Sequence, residues 1–184
     1  MTGIVTPTTP ATPTIFISYR HEEPTTTIAR KLHTALVPAS EFWGADLFMD
    51  ENEVEPGDLV DDTILGALDR TTHFIVLLTN SYWGSAYCRK ELARAVERFE
   101  TARTVRPLFV KVEELDPAHF TFAKDRSSGR INSEHPVIQK IGDVNFLGPF
   151  DDQLRLVRMD WEHAGVFSDQ IGQLVKRLGR VITK

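Results

Sequence analysis

The sequence predicts an α/β domain with a doubly wound, five-stranded parallel sheet flanked by helices. Five consecutive large apolar residues, Phe74–Leu78, predict a strand buried on both faces, which is typical of the centre of a parallel sheet. Strand and helix patterns alternate from residue 14 onward, as in repeated βαβ units. The 184 residues, 41% of them hydrophobic, are enough for one domain of ordinary size.

The first part of the chain predicts two strands with a helix between them. The first strand is Ile15–Tyr19, and the second, a short one, is Asp46–Met49. Between them, Pro38 is predicted to end the helix, because proline has no amide donor and its ring clashes with the preceding turn. The helix itself is predicted from apolar residues at helical spacing: Ile28, Leu32, Ala35 and Leu36.

An acidic loop, residues 50–58, separates the second strand from the second helix. Asp58 is the predicted N-cap of that helix, whose buried side carries Ile64 and Leu68. The third strand is then predicted at His73–Thr79 and the fourth at Val105–Lys111.

The ends of the chain and the long connection 113–152 have weaker patterns. Residues 1–13, rich in Thr and Pro, predict a flexible leader before a domain covering 14–184. Leu154–Trp161 is the predicted fifth strand, and an amphipathic last helix, with Ser168 or Asp169 as its cap, reaches Ile182. Because the sequence ends with this helix, the domain is expected to come from a longer protein.

Composition excludes several classes of function. A formal charge of −5 gives no electrostatic reason to expect nucleic acid or an anionic membrane as a partner. The single cysteine, Cys88, excludes a disulfide framework, and the six histidines lack the spacing of metal ligands. Without an apolar run of about 20 residues or a signal peptide, the chain is predicted to be cytoplasmic.

The segment Ser81–Leu92 is the best candidate for a functional site. It follows the central strand, so its helix begins at the carboxyl edge of the sheet, where open α/β folds bind ligands. Glu91 lies beside the apolar stripe of this helix, with Tyr87 one turn before it. A carboxylate and an aromatic ring at the mouth of a crevice suit a nucleotide-like ligand.

Three segments in this order resemble the Toll/interleukin-1 receptor (TIR) family, over roughly residues 14–184. Ile15–Arg20 is similar to the family's first-strand box. Phe48–Asp50, with Pro56-Gly57 after it, is similar to the second box, in the loop that follows strand two. Ser81–Leu92 is similar to the segment that carries the catalytic glutamate of the enzymatic members. The resemblance implies a flavodoxin-like fold.

The resemblance also implies a function, with NAD+ as substrate rather than cofactor. Enzymatic members cleave the bond between nicotinamide and ribose, and the matching position makes Glu91 the catalytic residue. Prokaryotic immune signalling or defence, with homotypic TIR–TIR assembly into an oligomer or filament, is the implied setting. The implied substrate-binding residues are Tyr19, Arg20, Phe48, Asp50, Val54, Trp83 and Tyr87.

Other interpretations of these residues stay open. Enzymatic members commonly have Trp where Tyr87 stands, and Glu53 replaces a basic residue common in the second box. Arg20 is equally suited to a surface ion pair with Glu22 or Glu23, and Trp83 to packing. The alternative function is a non-enzymatic adaptor that acts by self-association. A third hypothesis is an enzyme like the nucleoside deoxyribosyltransferases, which would exchange bases on nucleosides.

Overall fold

Five parallel strands form the centre of the molecule, in the order β2-β1-β3-β4-β7. The computed structural model describes residues 12–49, 62–115, 121–122, 131–132 and 145–184. The strands of this sheet are β1 (Thr14–Ser18), β2 (Asp46–Met49), β3 (His73–Leu78), β4 (Arg106–Lys111) and β7 (Asn145–Gly148). A separate antiparallel pair consists of β5 (Thr121–Phe122) and β6 (Ile131–Asn132). The predicted α/β fold with a five-stranded parallel sheet is confirmed.

The described residues include four α-helices and one short 3-10 helix beside the sheet. They are α1 (Thr25–Trp43), α2 (Asp62–Arg70), the 3-10 helix (Asn80–Gly84), α3 (Ala86–Ala102) and α4 (Ala164–Ile182). Among the helices in the described part of the chain, none is both long and apolar enough to span a membrane.

Two apolar layers cover the two faces of the sheet. Strand β3 is buried throughout and contributes alternate side chains to both layers, as expected of a central parallel strand. Helices α2 and α3 cover one face, where Phe16 stacks on Phe74 at 5.6 Å between ring centroids. Helices α1 and α4 cover the other face, where Leu32 and Leu174 are fully buried. The sheet is therefore doubly wound.

The prediction that Pro38 ends the first helix is wrong. Helix α1 continues through Pro38 to Trp43 and ends at Gly44, whose left-handed backbone (φ 62°) allows Ala45 N to donate to Ser40 O at 2.9 Å. A proline inside a helix removes one hydrogen bond. The buried Ser40 and the packing of Trp43 against α4 hold the last turn in place.

The fifth strand was predicted in the wrong segment. It is Asn145–Gly148, whereas Leu154–Trp161 is mostly irregular. Leu154 has a positive φ of 59° and an exposed side chain, and Leu156 forms only an isolated bridge with Phe150. Leu154 lies in a turn organised by Asp151, whose carboxylate accepts hydrogen bonds from the backbone of the turn. Met159 is buried in the core instead, and its N donates to Lys111 O at 2.9 Å.

The predicted cap of the last helix is also wrong, by about one turn. Helix α4 begins at Ala164 with His163 at the N-cap, so Ser168 and Asp169 are inside it. The first turn has little apolar periodicity, since Gly165 and Val166 are exposed, and only the buried Phe167 anchors it. Strand β1 differs from its predicted bounds by one residue at both ends, which leaves Tyr19 in the loop after it, and β3 and β4 each differ by one residue at one end. Asp58 lies outside the described residues.

The contact between α1 and α4 gives a test with two glycines of the same helix. A β-carbon at Gly179 would lie 2.7 Å from Trp43 Cζ2, whereas one at Gly172 would meet no atom within 4 Å. We expect Gly172→Ala to raise the free energy of unfolding by about 0.5–1 kcal/mol, through helix propensity alone. Gly179→Ala is expected to lower it by about 1 kcal/mol, because overpacking against a rigid ring outweighs the same gain. Urea denaturation measures both, and stabilisation by both substitutions would contradict the Trp43 contact.

Candidate active site

The end of strand β1 places one polar side chain inside the α3 layer. Side chains alternate along the strand, so Phe16 and Ser18 face α3, while Ile17 faces α1 and α4. Ser18 is buried although it is polar, which requires hydrogen-bond partners. It lies at the carboxyl edge of the sheet, as the position of the predicted crevice requires.

Two capped turns bring Tyr82 and Glu91 to this edge. Thr79 Oγ1 accepts from Tyr82 N at 3.1 Å and starts the 3-10 helix. Ser85 is the N-cap of α3, and its Oγ accepts from Cys88 N at 3.2 Å. These caps fix where each helix begins, and with it the direction in which Tyr82 and Glu91 point.

Glu91 is a buried carboxylate, with only 2% of the residue exposed. Ser18 Oγ donates to Glu91 Oε2 at 2.5 Å, and Tyr82 Oη lies 2.7 Å from the same Ser18 Oγ. The tyrosine is itself fully buried, and its Oη also lies 3.3 Å from Cys88 O. Three polar side chains from β1, the 3-10 helix and α3 thus form one connected group.

Tyr82 and Cys88, two titratable residues described beside Glu91, are neutral at physiological pH. Burial raises the pKa of Tyr82 well above its usual value, and the nearby Cys88 and Glu91 raise it further. Burial also raises the pKa of Cys88 to about 12. Its Sγ contacts Tyr19 O at 3.4 Å. Since a thiol reacts as the thiolate, Cys88 does not act as a nucleophile here, and the carboxylate of Glu91 is the reactive candidate.

The loop after β1 holds Arg20 in an ion pair. Arg20 Nε lies 3.6 Å from Glu22 Oε2, and Ser81 Oγ donates to Glu22 Oε1. Glu22 therefore connects the loop that follows β1 with the 3-10 helix that follows β3. The Arg20 side chain is 40% exposed, so an anionic ligand could reach it in competition with Glu22.

The structure places the predicted binding residues in different surroundings. Trp83 and Tyr87 are half-buried against the core on the Glu91 side, and Trp83 meets the Tyr82 ring edge-on at 5.4 Å. Phe48, on β2, packs against the same layer. Tyr19 is 5% exposed and packs in the opposite layer, where its ring stacks on His21 at 4.5 Å. Asp50 and Val54 lie outside the described residues, so the crevice that they would complete stays a prediction.

A groove of about 550 Å³ lies elsewhere in the molecule. It runs between α1 and α4, on the face of the sheet opposite to α3, and none of the predicted site residues lines it. Phe42, Trp43 and Gly179 are among its lining residues. The groove is therefore not part of the candidate site around Glu91.

Comparison with known proteins identifies the family. A sequence profile described as TIR domain matches residues 15–135, which is more than half of the chain. The chain belongs to the TIR-domain family. The matched region includes Ser18, Tyr82 and Glu91, so the buried polar group is part of the TIR domain proper.

Two relatives are informative about the extent of the similarity. The TIR chain is 30% identical over 102 residues to a probable 2′ cyclic ADP-D-ribose synthase, BdTIR, from Brachypodium distachyon. That match covers 55% of this chain and 42% of the relative, so the chain spans less than half of the relative's length. A solved structure of the activated Roq1 resistosome directly recognizing the pathogen effector XopQ (TIR domains) is 20% identical, with a TM-score of 0.44. The similarity covers 94% of this chain and 84% of that one.

The sequence analysis missed Ser18 and Tyr82 as members of the site. Both lie inside the motifs that resemble the TIR family, but the motifs alone do not indicate where their side chains point. Ser18 is a polar residue that directly follows the apolar residues Ile15–Ile17. It lies on the sheet face that α3 covers. A polar residue at such a position needs a buried partner, which is the pattern that could have identified it.

Proposed function

We propose that this TIR domain cleaves the bond between nicotinamide and ribose in NAD+, with Glu91 as the catalytic residue. The observation that supports this most is the buried carboxylate held by Ser18 at the carboxyl edge of the sheet. The TIR relative named as a probable cyclic ADP-ribose synthase adds support. ADP-ribose is the part of NAD+ that remains after nicotinamide leaves, so the products would be nicotinamide and linear or cyclic ADP-ribose.

One carboxylate is sufficient for this chemistry. Nicotinamide departs as a neutral pyridine, so the leaving group needs no proton. The positive charge that develops on the ribose is what needs stabilisation, and an ionised carboxylate in a water-poor site provides it. The same group can orient the ribose hydroxyls or accept the proton of an attacking water.

The ligand-binding roles follow from position. Tyr87, one turn before Glu91, would stack on a ring of the dinucleotide, and Arg20 would contact a phosphate or ribose in competition with Glu22. Phe48, Asp50 and Val54 would contribute from the second strand and the loop after it, and Trp83 from the rim. Tyr19, which is buried in the layer on the opposite face of the sheet, has no place in this site. No separate cofactor or metal is required by this mechanism.

The biological setting that we propose is immune signalling or antiviral defence in a prokaryotic cytoplasm. Its support is the similarity of the three sequence boxes to the enzymatic TIR members. NAD+ depletion, or release of a signalling nucleotide, would be the output in that setting. Neither nucleic acid nor membrane is needed as a partner.

Incubation of the purified protein with NAD+, followed by chromatographic separation of the products, tests the proposed function. We expect nicotinamide to appear together with ADP-ribose or a cyclic product. Exchange of bases between nucleosides, with NAD+ intact, would instead indicate the deoxyribosyltransferase-like reaction.

The burial of Glu91 also favours a second function, a non-enzymatic adaptor. A glutamate at 2% exposure that ties α3 to β1 can serve as a purely structural contact. In that case the domain would act through TIR–TIR association alone. NAD+ that stays intact in assembled protein would favour this alternative.

We expect the specific activity to rise with protein concentration. In the single chain a ribose reaches Glu91 only after the surrounding segments move, and a second TIR domain would favour such a movement by homotypic assembly. Initial rates measured over a wide concentration range, with sedimentation in parallel, test this. A rate strictly proportional to enzyme concentration, across a range where the assembly state changes, would contradict it.

A further inference from the structure

A chain of hydrogen bonds connects the 3-10 helix to Glu91. Tyr82 Oη lies 2.7 Å from Ser18 Oγ, and Ser18 Oγ lies 2.5 Å from Glu91 Oε2. Both residues that precede the carboxylate are fixed by secondary structure, Tyr82 in the 3-10 helix and Ser18 in β1. The sequence boxes contain all three residues but do not show that they touch.

Counting protons shows which group donates in each hydrogen bond of the series Tyr82–Ser18–Glu91. The reaction proposed above uses Glu91 as an ionised carboxylate, which can only accept, so in that form the single proton of the Ser18 hydroxyl points to Glu91 Oε2. Ser18 must then accept from Tyr82, whose hydroxyl is protonated at physiological pH. Cys88 O, at 3.3 Å from Tyr82 Oη, is the longer and weaker competitor for the tyrosine proton. The donors therefore run from Tyr82 to Ser18 to Glu91.

We propose that Tyr82 is a positioning residue for the NAD+ cleavage proposed above, acting on Glu91 through Ser18. The inference rests on that proposed function, and it assigns the tyrosine hydroxyl a role beyond packing. With Tyr82 donating, Ser18 has no rotational freedom left, and one carboxylate oxygen is held in one place relative to the end of β1. The substrate would then meet a carboxylate that is already oriented.

The choice of tyrosine at this position supports the proposal. The ring is fully buried among apolar residues, so phenylalanine would fill the same space. Burying a hydroxyl is unfavourable unless it is hydrogen-bonded. The hydroxyl is thus retained at a site where packing alone does not require it, and its strongest contact leads to the carboxylate.

Tyr82→Phe tests the proposal, because it removes the hydroxyl and keeps the ring. We expect kcat to fall roughly tenfold, about the effect of one hydrogen bond linked to a charge, with KM for NAD+ unchanged. Thr71→Val is the matched control, since it removes a buried hydroxyl that donates to Ala67 O at 2.8 Å. It is expected to destabilise the fold to a similar extent while leaving kcat unchanged.

A double-mutant cycle tests whether Tyr82 acts through Ser18. If the two act in series, Ser18→Ala combined with Tyr82→Phe should be no slower than Ser18→Ala alone. Multiplication of the two rate losses would overturn the serial arrangement. Unchanged kcat in Tyr82→Phe would overturn the positioning role altogether.

A crystal structure of Tyr82→Phe separates this inference from the proposed function. If the wild-type protein leaves NAD+ intact, the proposed function fails, but the position of the Glu91 carboxylate can still be compared between the two proteins. A displaced or rotated carboxylate would support positioning by Tyr82. An unchanged carboxylate, with the Ser18 contact retained, would overturn it.

Discussion

Replacing Glu91 by glutamine is expected to lower NAD+ turnover by on the order of 100-fold or more, while the protein stays folded. The amide oxygen of glutamine can still accept the hydrogen bond from Ser18, so the buried contact between α3 and β1 survives. What is lost is the negative charge that stabilises the ribosyl cation. Turnover is measured as NAD+ consumed at saturating substrate, with thermal unfolding as the check on folding.

The matched control for this substitution lies on the same helix. Glu100 is exposed on α3, so Glu100→Gln makes the same chemical change outside the site. It is expected to leave turnover unchanged. A Glu91→Gln variant that consumes NAD+ as fast as the wild type would remove Glu91 from the mechanism.

Replacing Tyr87 by alanine is expected to weaken substrate binding and turnover by roughly 1–3 kcal/mol, the value of one lost stacked ring. That corresponds to about 5–150-fold in kcat/KM, and it should appear at every protein concentration. Tyr87 is one turn from Glu91 and about 40° around the helix, so a ring stacked on it would lie within reach of the carboxylate. Tyr87→Trp, which restores the residue common in enzymatic members, is expected to be tolerated.

Trp83 is the aromatic control for Tyr87. It lies in the 3-10 helix before α3 begins, edge-on to Tyr82, whereas Tyr87 lies within α3. Trp83→Ala is expected to weaken assembly or stability more than chemistry. Loss of activity in preassembled Trp83→Ala protein, with Tyr87→Ala active, would reverse the two roles.

The parts of the fold with strong apolar patterns could be predicted from the sequence. The fully buried strand His73–Leu78 and the apolar stripe of α3 are examples, because burial on one or two faces determines which residues must be apolar. The fifth strand could not, since the four residues Asn145–Gly148 include only two large apolar ones, too few for a recognisable strand pattern. At Pro38 a strong local pattern gives the wrong prediction, because the tertiary packing of Trp43 and Ser40 keeps the helix intact beyond the proline.

The candidate site was predictable as a location but not as a set of contacts. The segment Ser81–Leu92 indicates that Glu91 follows the central strand. It does not show that the carboxylate turns inward to Ser18, because that depends on where α3 begins relative to β1. Ser85 sets the start of α3, and Thr79 sets the start of the 3-10 helix before it; the effect of both caps appears only once the chain is folded. Tyr19, the first residue after β1, continues the alternation of the strand and therefore lies on the face opposite to Ser18.

Release of nicotinamide from NAD+ by wild-type and Glu91→Gln protein, compared at the same assembly state, tests the proposed function most directly. The wild-type protein should release nicotinamide together with ADP-ribose or its cyclic form, and the Gln variant should release it at least about 100-fold more slowly. Intact NAD+ in assembled wild-type protein, or equal release by both proteins, would contradict the role proposed for Glu91.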